Sequence, residues 1–194
     1  MTSGLTSITV RELLDRVASA DPTPGGGSVA ALTGALAAGL VSMVCRLTVG
    51  RERYAAYQAE AEAVLSEAER LREGLSVLIN RDAAAFEGVM QAMRLPRGTE
   101  EERAQRSRRI QEATRAAALV PLEIARRGAE IRGLCNRIEG KSNPNAASDV
   151  IVARALCDAA LISAIANVEI NLGALDDAEW VAMVRAELVS LRPQ

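Results

Sequence analysis

The chain has 194 residues, 49% of them hydrophobic, enough to bury a sizeable core within one domain spanning residues 1–194. A formal net charge of -2 offers no general positive field for nucleic acid or an anionic membrane. There are 0 histidines and the three cysteines, Cys45, Cys135 and Cys157, lie far apart, which excludes Ser-His-Asp triads, Cys-His dyads and His-ligated metals.

Alanine, leucine, glutamate and arginine recur throughout and aromatic content is 2%, with no alternating strand pattern. The expected fold is therefore all-α, a single-domain helical bundle. The cysteine spacing suits neither a disulfide framework nor a structural zinc site, and no N-terminal segment joins a basic start to an apolar run, so a reducing cytoplasm is the expected compartment.

Thr9 and Glu12 have capping-box spacing, with Ile8 and Leu13 placed as a hydrophobic staple, and a first helix should run to about Ala20. The segment Asp21 to Ser28, D-P-T-P-G-G-G-S, then breaks the chain, and Ser28 is placed to cap the next helix. From Val29 to Cys45 there is no charge, and the length approaches the roughly 20 residues of a membrane span. Alanine and glycine dominate it rather than large aliphatics, so the expectation is a long buried helix. Its small-residue rows, Ala30, Gly34, Ala38 and Ala31, Ala35, Gly39, let neighbours approach closely, in the core or across a subunit interface.

An apolar stripe at helical spacing next runs from Tyr54 and Tyr57 through Ala61, Val64, Ala68, Leu71, Leu75, Leu78, Asp82, Phe86 and Val89 to Met93. Asp82 interrupts it, and an ionised carboxylate there needs a partner or a water-filled site. Half of a buried Asp-Arg pair and a functional carboxylate are the two readings. After Pro96 and Gly98, Thr99 with Glu102 should cap a helix that Pro121 kinks or ends, with helix resuming from Leu122 to Ile138. Glu139 to Ala147 forms a second break, and Ser148 should cap a helix to Leu172 that carries Asn167 and Asn171 on its apolar side. A last helix should open at Asp176.

Three constellations could carry chemistry. Gly25, Gly26, Gly27 and Ser28 open a helix, so their amides and the helix dipole suit an anion or a ligand carbonyl, although a capped structural turn explains them as well. Lys141, Asn143, Asn145, Ser148 and Asp149 form the densest polar group, read either as turn and cap residues or as a site. Asn167 and Asn171 suit helix–helix hydrogen bonding or a ligand.

Five segments in order resemble the cyclodeaminase/cyclohydrolase family of folate enzymes: P-T-P-G-G-G-S-V-A-A from Pro22 to Ala31, D-x-x-A-F from Asp82 to Phe86, L-P at Leu95 and Pro96, N-P-N-A-A-S-D from Asn143 to Asp149, and N-V-x-I-N from Asn167 to Asn171. The resemblance covers nearly the whole chain. It implies an all-helical homodimer binding a tetrahydrofolate derivative, with Asp82, Asp149 and Lys141 as catalytic candidates. Pro24, Gly25, Gly26, Gly27, Ser28, Phe86, Asn143, Asn145, Ser148, Asn167 and Asn171 are the folate-binding candidates. No metal or further cofactor is expected.

Ala147 stands where bifunctional relatives often carry arginine, which tilts the expectation toward hydrolysis of 5,10-methenyltetrahydrofolate to 10-formyltetrahydrofolate. Cyclodeamination of 5-formiminotetrahydrofolate is the alternative reaction, and a non-catalytic helical assembly module the alternative of another class. The arginine-rich run Arg103 to Arg109 is read first as a solvated helix face, and otherwise as a holder of the folate's glutamate tail.

Overall fold

The computed structural model describes residues 4–192. Among the described residues the fold has six α-helices: α1 (Val10–Val17), α2 (Gly26–Arg46), α3 (Gln58–Met93), α4 (Glu100–Ile138), α5 (Ala147–Leu172) and α6 (Ala178–Leu191). Short 3₁₀ turns lie at Leu5–Ser7, Glu52–Tyr57 and Pro144–Ala146, and no strand occurs among the described residues.

The small-residue helix α2 is the centre of the bundle and packs against α3, α4 and α5. It is long and apolar enough to cross a membrane, yet 61% of its apolar window is buried inside the protein, as a core helix requires. Close approach explains the alanines and glycines: a Cβ added at Gly34 would lie 3.2 Å from Leu75 Cδ1 and 3.7 Å from Ala160 Cβ. Here α3 and α5 converge on α2 from two sides. The stripe of α3 is buried from Ala61 through Val64, Ala68, Leu71 and Leu75 to Leu78, each large side chain contributing about 1.5–3 kcal/mol relative to exposure. Where that stripe reaches Asp82 and Phe86 it leaves the core and enters a cleft.

Several local expectations are corrected. Thr9 caps α1, accepting from Glu12 N at 3.2 Å, but the Glu12 carboxylate turns to Arg16 instead of closing the box, and the helix stops at Val17. The stripe residues Tyr54 and Tyr57 fall in a 3₁₀ turn before α3. Pro121 does not end its helix: α4 runs unbroken past it, because the ring is buried in the core and tertiary packing offsets the one backbone hydrogen bond it forfeits. Ser28, Ser148 and Asp176 are not caps. Gly25 and Ala146 occupy those positions in α2 and α5, and Asp177 caps α6 through Trp180 N at 3.0 Å.

Candidate active site

The first turn of α2, the second half of α3, the middle of α4 and the end of α5 enclose a cleft of about 290 Å³. Its floor is the glycine turn. Gly27 lies directly beneath Asp82, and any Cβ there would collide with Asp82 Oδ1, so glycine is what lets the carboxylate rest on the helix start. Ser28 faces inward, buried, and its hydroxyl donates to Asp82 Oδ2 at 2.9 Å and to Ile79 O at 3.0 Å. Burial pushes the Asp82 carboxyl above the ordinary carboxylate value, and hydrogen bonds from the Ser28 side chain and backbone oppose that shift only in part. The sequence reading of a buried Asp-Arg pair is thereby replaced: the partner is a serine.

Opposite stands the end of α5. Asn167 Nδ2 donates to Ser163 O at 2.8 Å and Asn171 Nδ2 to Asn167 O at 2.9 Å, so one N–H of each carboxamide is spent on the helix's own carbonyls, leaving a second N–H and the oxygen of each. Gly26 lets Asn167 lie close, since a Cβ there would sit 3.1 Å from Asn167 Nδ2. Apolar walls come from Ala85, Phe86, Val89, Ala117 and Ile170. Asp82 is the one ionisable group among the lining residues. The cleft thus suits a ligand that is partly apolar, able to donate and accept hydrogen bonds, and cationic near Asp82.

Gly25, Gly26, Gly27, Asp82, Phe86, Asn167 and Asn171, all singled out by sequence, meet at this cleft. Pro24 does not line it. It is buried and, with Ser28, Leu13, Val17 and Leu32, borders a separate small pocket, while Pro22 and Thr23 take the lining positions. Ala85 and Val89 were legible as one and two turns from Asp82 on α3, whereas nothing local marks Ala117.

Lys141, Asn143, Asn145, Ser148 and Asp149 lie elsewhere. Asp149 is in the first turn of α5 and Asn167 near its end, about 27 Å apart at the rise of an α-helix. Asn143 is fully employed as a staple: its N–H donates to Thr48 Oγ1 at 3.0 Å, its Nδ2 to Leu47 O at 3.3 Å, and its Oδ1 accepts from Asn145 N at 3.0 Å. Lys141, Asn145 and Ser148 are exposed.

The three thiols are buried, and burial pushes them to about 11, 11 and 12 for Cys45, Cys135 and Cys157, which removes them as nucleophiles. Among the described residues no group of His, Cys, Asp and Glu side chains converges as a metal site would require.

A helical bundle with one desolvated carboxylate over a glycine helix start, facing two carboxamides, defines a small-molecule-binding helical protein. The profile of the formiminotransferase-cyclodeaminase family matches residues 9–190, and the chain belongs to that family. It is 43% identical over 183 residues to a methenyltetrahydrofolate cyclohydrolase of Methylorubrum extorquens, covering 94% of this chain and 88% of that protein. It is 34% identical to the formimidoyltransferase-cyclodeaminase of Sus scrofa over 94% of this chain but 34% of that protein, so it spans about a third of the longer relative. The crystal structure of formiminotetrahydrofolate cyclodeaminase from Thermotoga maritima superposes with a TM-score of 0.85 at 31% identity, covering 95% of this chain and 88% of that one.

Proposed function

We propose that the protein hydrolyses 5,10-methenyltetrahydrofolate to 10-formyltetrahydrofolate. The carrying observation is the Asp82 carboxylate, the one ionisable group lining a cleft otherwise made of neutral polar groups and apolar surface. The substrate is an amidinium cation whose bridging carbon is already electrophilic, so a negative cleft stabilises it and a positioned base activates water. Asp82 takes a proton from water as the oxygen bonds to the bridging carbon. The neutral adduct then collapses: the bond from that carbon to N5 breaks, N5 takes the proton from Asp82, and the hydroxyl proton leaves as the formyl group forms on N10. Asn167 and Asn171 accept from ring N–H groups of the pterin, and Phe86 covers its face.

Ser28 is a positioning residue, since its hydroxyl is spent on Asp82 and Ile79. Asp82→Gln and Ser28→Ala, assayed for loss of methenyl absorbance, test the assignment: a wild-type rate in Asp82→Gln overturns it. Cyclodeamination of 5-formiminotetrahydrofolate is the second reading, favoured by one observation. A carboxyl raised by burial can hold the proton that departing ammonia needs. Ammonia release from that folate, with none required of the methenyl compound, selects it. Neither reaction as written draws on a metal or redox cofactor, and the buried free thiols suit a reducing cytoplasm.

A homodimer belongs to the same reading. The outward face of α5 is an uncharged stripe with Ile151, Ile162 and Ile170 exposed by 67%, 61% and 75%, interleaved with Ala155, Ala159 and Ala166. Val29, Leu36 and Met43 of α2, and Leu47 just after it, are exposed as well. Apolar surface on this scale favours burial against a second copy. Antiparallel apposition of two α5 stripes would carry Lys141, Asn145, Ser148 and Asp149 of one copy toward the cleft of the other.

A further inference from the structure

Next to Val89 and Ala117, along the same seam between α3 and α4, lies a second, open groove of about 450 Å³, lined by Gly88, Gln91, Ala92, Leu95 and Ala113 and by Arg109 with Glu112. Small residues keep it open: a Cβ at Gly88 would meet nothing within 4 Å. Leu95 offers an apolar wall and Gln91 a carboxamide. From Ala117 to Arg109 the groove follows α4 for about 12 Å.

We infer that this groove is the subsite for the p-aminobenzoyl-glutamate arm of the substrate, with the Arg109 guanidinium as the carboxylate anchor. The inference rests on the folate reading of the cleft and deepens it. A substrate whose bridging carbon lies at Asp82 must lead its arm out of the cleft, and this seam offers a carboxamide at Gln91 and, farther along, the apolar side chain of Leu95 and the cation of Arg109. Arg109 Nη1 pairs with Glu112 Oε2 at 3.0 Å, but the two side chains are 62% and 63% exposed. An exposed pair one helical turn apart is weak enough for a substrate carboxylate to displace. Glu112 therefore competes with the ligand for Arg109. Of the arginine-rich run, the structure selects Arg109 by its place in the groove; Arg103 and Arg106 are turned to the carbonyls of Arg97, Gly98 and Met93.

Two opposed variants test this in the full chain. Titration with p-aminobenzoyl-glutamate should show Arg109→Gln binding about tenfold more weakly than wild type, the loss of one charge-assisted contact. Glu112→Gln should bind more tightly, because it frees the guanidinium, and p-aminobenzamide, which keeps the benzoyl amide but has no carboxylate, should bind all three alike. Equal affinity of the glutamate-bearing fragment for wild type and Arg109→Gln overturns the subsite. In turnover of 5,10-methenyltetrahydrofolate, Arg109→Gln should raise KM with kcat retained, and a fall in kcat alone overturns the anchoring role. Fragment binding that depends on Arg109 in a protein that turns over neither folate would sink the proposed reaction and leave the subsite standing.

Discussion

Asp82 carries opposite consequences for stability and for activity. Its native carboxyl is raised above the unfolded value, so the native state holds the proton more tightly, and folding loses stability as pH climbs from the unfolded value through the raised one. Below both values the effect vanishes. Asp82→Asn should therefore hold or raise the melting temperature at pH 7, with no such gain in strong acid, while turnover falls by about a hundredfold or more, the scale of a lost general base. Melts at both pH values beside the rate check it, and a lowered melting temperature at pH 7 would mean that the charge supports the fold. Ser28→Ala removes a donor that favours the ionised carboxylate, so the acid limb of kcat/KM should move to higher pH. An unmoved limb would detach Ser28 from the titrating group. Gly27→Ala places a methyl where Asp82 Oδ1 now sits; the carboxylate must shift, and activity should drop far more than the helix gains from alanine's propensity.

At the scale of elements, the cap that local chemistry completes is the one that sequence reads best. Thr99 accepts from Glu102 N at 3.1 Å while the Glu102 carboxylate returns to Thr99 N at 3.1 Å, the full capping box expected at the start of α4. Thr99→Ala should cost about 1 kcal/mol in a denaturant titration and leave turnover unchanged. Ser28 failed the same reading because the helix starts two residues earlier, at Gly26, which leaves Ser28 inside the first turn with its hydroxyl donating to Ile79 O and Asp82 Oδ2 on α3. At Pro121 the helix does not end, because tertiary packing holds α4 continuous through a position where local rules allow a break. Asp149 is the case where two roles compete on one element. As an acid in the first turn of α5 it complements the dipole, and Asp149→Asn would then cost about 0.3–1 kcal/mol with activity kept. We expect the contrary pattern, activity falling more than stability, because the proposed dimer would bring this helix start toward the other copy's cleft; a normal rate with a lowered melting temperature would return Asp149 to the dipole role.

For the whole molecule, the apolar outer faces of α2 and α5 make association the central expectation. Sizing with light scattering should report a dimer at micromolar concentration, and Ile162→Glu, which puts a charge in the middle of the α5 stripe, should yield a folded monomer with turnover lost. A monomeric active wild type would remove the partner from the site. The class and order of helices, the buried character of the small-residue helix, the glycine turn, Asp82 and the asparagine pair were all determined by the sequence alone. Each shows a period, a composition or a misplaced charge that acts within a few residues. Only the tertiary structure decided that Asp82 is held by Ser28 rather than by an arginine, that Pro24 packs behind the cleft, and that Ala117 lines it. It also separated the two polar constellations to opposite ends of α5. A motif specifies which groups are chemically capable, but distances between motifs are set by how long helices cross, and a straight helix of 26 residues keeps its two ends apart whatever their chemistry.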